Sequence, residues 1–182
     1  VLREEFPVFA IDALAKKGCR KPALITGFTD VGLDMNDPYE RPKRLFFENY
    51  KNEVEKHGMT YHEDLICKAR EIEPMVGKEL VEHGYRSFMK LWETGKRPDA
   101  IITFTDELLP GVILAIKEKG LKVPDDLIVA SHHNSTSEIF VPFDFIKIEL
   151  DIKEFAAAKI EQLFSEFKRE PGHETTLHFK VK

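Results

Sequence analysis

Two places in the chain gather residues able to do chemistry. His132 and His133 follow the apolar run Leu127-Ile-Val-Ala-Ser131, and Thr105-Asp106 follows Ala100-Ile-Ile-Thr-Phe104. A histidine and an aspartate at neighbouring strand ends could bind a metal or move a proton. Adjacent residues of an extended chain point to opposite sides, however, so two consecutive imidazoles chelate one ion poorly. No GxSxG nucleophile elbow accompanies the pair, and neither a P-loop nor a GxGxxG turn occurs, which disfavours nucleotide binding through a glycine loop. No metal and no cofactor are expected. Small-molecule binding fits better, because Phe28, Tyr39, Phe46 and Phe104 offer flat apolar faces beside hydrogen-bonding groups. Phe104 reads as core, while Phe28 and Phe46 are open between core and pocket. Arg41, Lys43 and Arg44 could attract an anion or could flank a solvated loop.

These residues need a scaffold that brings strand ends together. Ala100 to Phe104 is short and apolar, with helical periodicity on either side, as in a strand buried on both faces of a parallel sheet. Leu108, Leu109, Val112, Ile113 and Ile116 mark the helix behind it, whose first amides Asp106 could cap. Earlier, Phe6, Phe9, Ala10, Ala13 and Leu14 form a helical stripe ending at Gly18. A strand over 22–26, a long loop over 27–44, a helix around Phe46 to Val54, a strand over 59–68 and a helix from Leu80 to Trp92 follow. This alternation implies right-handed βαβ units. After Ser131 the rhythm breaks, and no helix precedes the strand over 145–150, so the chain is expected to leave the first sheet there. A long amphipathic helix through Ile152, Phe155, Ala156, Ile160, Leu163, Phe164 and Phe167 and a half-exposed strand over 176–181 close the sequence. Ligands in open α/β sheets sit beyond the carboxyl ends of the strands, which places Thr105 at the site.

With 182 residues and 42% hydrophobic content, the chain can build one substantial core or two small lobes. A formal net charge of -5 gives it no electrostatic footprint for binding DNA by itself. Cys19 and Cys67 form no CxxC pair, which argues against a zinc ribbon or a disulfide framework and favours a reducing compartment. No signal peptide or uninterrupted apolar span of transmembrane length appears. Val1 falls inside what reads as a running helix, so further chain upstream is expected.

From Lys17 to Leu163 the order of motifs resembles the effector-binding domain of the LacI/GalR family of bacterial transcriptional regulators. Gly18-Cys-Arg-Lys-Pro-Ala-Leu-Ile-Thr-Gly27 is similar to that family's GHRRIALIGG segment, and Gly84-Tyr85 with Arg97-Pro-Asp-Ala-Ile101 to its GY and RPDAIF motifs. Gly120-Leu-Lys-Val-Pro-Asp-Asp-Leu-Ile-Val129 resembles GLRVPEDVSVV, and Phe155-Ala-Ala-Ala-Lys-Ile-Glu-Gln-Leu163 falls where the family has its last helix. The resemblance implies an α/β, doubly wound parallel sheet of the periplasmic-binding-protein type I, mostly the C-terminal lobe. Residues 19–142 and 175–182 would form that lobe, residues 1–18 and 145–174 would be pieces of the N-terminal lobe, and a DNA-binding head would lie upstream.

The implied function is ligand sensing and dimerisation in a cytoplasmic transcription factor, with a small-molecule effector between lobes, DNA bound only through the head, no catalysis and no membrane contact. The family's polar contacts carry over poorly. Phe46 stands where members commonly have arginine, with Arg44 nearby. Thr105 replaces the asparagine of an Asn-Asp pair, and His133-Asn134 replaces an Asp-Asp tip. Effector contacts are therefore expected from Phe28, Arg44, Phe46, Thr105, Asp106, His133 and Asn134, to a ligand unlike a typical sugar. A two-fold dimer would use Leu109, Val112, Ile113, Ile139 and Phe140. A periplasmic sugar-binding protein of the same fold is the alternative, and a small flavodoxin-like hydrolase using Asp106 and His133 a more distant one.

Overall fold

The computed structural model describes residues 4–29, 36–37, 40–69, 76–134, 139–150 and 180–182, with positions 153, 156, 157, 160, 161 and 164. Its centre is a six-stranded sheet in the order β2-β1-β3-β4-β5-β6. Here β1 is Pro22–Thr26, β2 Ile66–Cys67, β3 Ala100–Phe104, β4 Ile128–Asn134, β5 Ile146–Leu150 and β6 Lys180–Val181. The first five are parallel and β6 is antiparallel to β5. Every residue of β1 and β3 is buried, as expected for strands with helices on both sides.

Alternating side chains divide the core into two. Leu24, Ile102, Ala130 and Ile148 face α1 (Phe6–Lys16) and α2 (Arg41–Lys56), packing with Phe6, Ile11, Leu14, Phe46, Tyr50 and Val54. Ala23, Ile25, Ile101 and Val129 face α3 (Lys78–Glu93) and α4 (Leu109–Glu118), packing with Phe88, Leu91, Leu109, Val112 and Ile116. Gly18 ends α1 as the spacing predicts. At φ 84° it lets the Cys19 N–H donate to the Leu14 carbonyl (3.1 Å) while its own N–H reaches Ala15 (2.9 Å). The Asp99 carboxylate accepts the backbone N–H groups of Arg20 (2.6 Å) and Lys21 (2.8 Å), fastening the start of β1 to that of β3.

Several expectations are corrected. The chain does not leave the sheet after Ser131. β4 runs on to Asn134, and β5 pairs parallel with it from Ala130↔Ile146 to Asn134↔Leu150. Val141, Phe143 and Phe145 in the connection pack on the α3/α4 core, the role a crossover helix would have. The segments 6–16 and 146–150, expected in another lobe, belong to this body, because Phe6, Ala10, Ile11 and Leu14 share the first core with Ile148. The strand expected over 59–68 shrinks to Ile66–Cys67, since residues 63–65 form a 3-10 turn with His62 accepting the Asp64 N–H. The loop expected over 27–44 gives way to helix at Arg41, with a proline in the first turn of α2. Positions 153, 156, 157, 160, 161 and 164 are helical, but Ile160 and Phe164 are exposed. Val1 lies outside the described residues.

α3 and α4 cross where two glycines remove the side chains. A Cβ on Gly111 would run into the Val81 carbonyl oxygen, and one on Gly84 into that of Leu108. Backbone cannot yield there without separating the helices. Gly111→Ala should therefore destabilise the fold by about 1–3 kcal/mol, read as a lower urea midpoint with an unchanged m value. A midpoint equal to that of the parent would show the crossing to be loose.

Candidate functional site

Parallel pairing brings the carboxyl ends of β1, β3 and β4 to one edge, with Thr26 opposite Phe104 and Thr103 opposite Ser131. The Thr103 hydroxyl donates to Ser131 Oγ (2.7 Å), which donates to the His132 carbonyl (2.8 Å), so the polar residues inside the sheet are satisfied just below its tips.

Aromatic rings cover the α1/α2 side of that edge. Phe104 lies 4.7 Å from Phe6, 5.0 Å from Phe46, 5.2 Å from Phe28 and 5.1 Å from His132 by ring centroids. Phe104 is core, as expected. Phe46 was expected to meet ligand, but it is 0% exposed, stacked on Phe6 and edge-on to Phe28 and Phe47. Its position on the inner face of α2, one turn before Tyr50, gives it no open surface. Phe28 is half-buried at the tip of β1.

His132 and His133 diverge as strand alternation dictates. His132 is buried against Phe6 and Phe104, whereas His133 meets Phe145 at 6.1 Å on the sheet's other side. Burial pushes the His132 imidazole below its ordinary range; the Asp106 carboxylate opposes this and His133 adds to it. Among the described residues, no three His, Cys, Asp or Glu side chains are grouped to hold a metal ion.

Asp106 does not cap the helix. It opens a 3-10 turn, Asp106–Leu108, that has no side-chain cap, and its carboxylate accepts the Asn134 N–H at 3.5 Å from the neighbouring strand. His133 faces Phe145, with ring centroids 6.1 Å apart. The Thr105 hydroxyl donates to Glu107 (2.9 Å). Arg44 is 53% exposed and paired with Glu48 (3.2 Å). It lines a separate groove of about 320 Å³ with Phe47, Lys51, Tyr61, Glu63 and Lys68. Of the five residues expected at a dimer interface, Leu109 and Val112 are core and present no surface to a second copy. Ile113 and Ile139 are half-buried and Phe140 is 83% exposed. Leu114, missed in the sequence, is 56% exposed one position from Ile113. Its helical phase was the available signal.

The parallel sheet with helices on both faces defines a class of protein. The profile of the periplasmic binding protein-like domain matches residues 11–181, and the chain belongs to that family. LacI-family regulators are among the solved structures that share its fold. It is 25% identical over 126 residues to catabolite control protein A of Priestia megaterium, covering 69% of this chain and 33% of that one. It is 42% identical over 117 residues to the HTH-type transcriptional repressor PurR of Histophilus somni, covering 64% and 33%. A LacI family transcriptional regulator from Lactobacillus casei, solved with bound sucrose, superposes with a TM-score of 0.74 at 22% identity, covering 100% of this chain and 62% of that one. The chain thus spans about a third of the length of these curated relatives.

The shifted histidine gives a pH dependence. Unfolded, His132 takes up its proton near the ordinary imidazole value of 6.5 and, folded, only at lower pH. The unfolded state therefore binds more protons between the two, and this contribution to stability is full above about pH 6.5 and lost as pH falls below it. Urea midpoints at pH 7.5 and pH 5 should differ more for the parent than for His132→Asn. Equal differences would mean that the imidazole does not titrate on unfolding.

Proposed function

We propose that this chain is the effector-sensing part of a cytoplasmic bacterial transcriptional regulator that binds DNA through a helix-turn-helix head elsewhere in the polypeptide. The observation that carries the reading is the convergence of Phe28, Thr105, Asp106 and Asn134 at one edge of a parallel sheet, on strand ends and not within the core. In this reading the six strands and α1 to α4 form one lobe, and the helical positions 153, 156, 157, 160, 161 and 164 belong to a second. The exposure of Ile160 and Phe164, apolar side chains with nothing described above them, supports that division. A small molecule held between lobes favours one arrangement over another by its differential affinity, and the shift repositions the DNA-binding heads. No catalytic step is required. A regulator with the same domain carries sucrose, which fits a small-molecule effector.

The test uses the full-length regulator and its selected DNA site. A metabolite that raises the melting temperature, by about 2.7 kcal/mol of added stability at a hundredfold excess over its dissociation constant, should change DNA affinity at least fivefold. If every stabilising metabolite leaves DNA affinity unchanged, the sensing role is wrong.

Self-association is part of the proposal. Ile113, Leu114, Ile139 and Phe140 supply apolar surface on the α3/α4 side, where the connection before β5 also packs. Leu114→Asp with Phe140→Asp should convert a dimer to a monomer in analytical ultracentrifugation without loss of helical circular dichroism, because both side chains are exposed. A double variant that remains dimeric would place the interface elsewhere.

A further inference from the structure

A groove of about 320 Å³ lies between α2 and β2, the strand at one edge of the sheet, and has no part in the sensing role proposed above. Helical spacing puts Arg44, Phe47, Glu48 and Lys51 in one stripe along α2, while Phe46, Tyr50 and Val54 of the same helix go into the core. The facing wall comes from the chain around β2, with Ile66 as its apolar part and Tyr61, Glu63 and Lys68 beside it.

The charges lining the groove do not balance. Arg44 Nε donates to Glu48 at 3.2 Å, and Glu63 accepts from the Lys68 ammonium and from the Tyr61 hydroxyl. Those two hydrogen bonds hold the Glu63 carboxyl below the usual carboxylate range, so it is ionised and already engaged. Three cations thus meet two acids, and each acid has its cation. Lys51 is the surplus. Its ammonium lies 5.4 Å from the centroid of the Tyr61 ring, and among the described residues it forms no ion pair. A ring face attracts an ammonium but accepts none of its three N–H donors as an oxygen would. Lys68 lies over Phe47 in the same way, at 5.0 Å, so the groove presents positive charge from both walls.

We propose that this groove binds a small organic monoanion, a carboxylate on an apolar body, with the carboxylate on Lys51 and the body along Ile66. The volume is at the lower end for ligand pockets and suits a single ring or short chain. A cation would be repelled by the charge already present. A neutral apolar molecule would cover the Lys51 ammonium without giving it an acceptor. A phosphate dianion calls for a second uncommitted cation or an open guanidinium fork, and Arg44 is engaged by Glu48.

The full-length protein is titrated with phenylacetate and hexanoate by ligand-detected nuclear magnetic resonance. Acetate keeps the charge without the body, phenylacetamide keeps the body without the charge, and inorganic phosphate tests the bare dianion. Phenylacetate or hexanoate is expected to bind with a dissociation constant on the order of 1 mM, the scale open to so small a ligand. Acetate and phenylacetamide should each bind at least tenfold more weakly. Lys51 is exposed, so its variants leave the core intact. Lys51→Gln should weaken the carboxylates at least fivefold, and Lys51→Arg should stay within twofold of the parent. Phosphate or acetate bound as tightly as phenylacetate overturns the ligand class. Binding indifferent to Lys51→Gln, or no binding of either carboxylate, overturns the site. Whether ligands alter DNA affinity is a separate measurement, and the sensing role stands or falls on that alone.

Discussion

Two strands with no residue open to water set the terms for everything else. Because β1 and β3 are buried along their whole length, each face of the sheet must be covered, and only helices of matching apolar face can do so without leaving backbone groups unpaired. The result is a three-layer body in which the sides of the central strands are unavailable to any ligand. The strand ends are left open to a ligand, and parallel pairing puts the carboxyl ends of β1 to β5 on one edge.

The covering layers achieve this by different means. On one side α3 and α4 approach through Gly84 and Gly111, so contact is backbone to backbone. On the other, α1 and α2 meet the sheet through aromatic side chains, and the raft of Phe6, Phe46 and Phe104 fills the space beneath the edge. A rigid aromatic floor costs little side-chain entropy to order and resists water.

Membership in the periplasmic binding protein-like family agrees with this architecture, a stiff sheet whose parallel strands end along one edge. The Asn134 N–H donates to the Asp106 carboxylate at 3.5 Å, across the ends of β4 and β3.

Much of the body was legible beforehand. The strands at 22–26 and 100–104, the Gly18 cap, the burial of Phe104 and the divergence of His132 from His133 follow from local rules of period, turn and cap. What misled was any inference needing a partner distant in sequence. Phe46 and Phe28 are both aromatics near a strand end, yet one is sealed by Phe6 from the first helix and the other reaches the surface. Leu109 and Val112 share α4 with the exposed Leu114, and only the position of the sheet and α3 decides which of them meets water. Asp106 reads as a cap until β4 supplies a competing N–H. Periodicity fixes which residues share a face, because it is a property of a single element. Which face is covered, and by what, depends on contacts between segments far apart in the chain, and those exist only once the sheet has assembled.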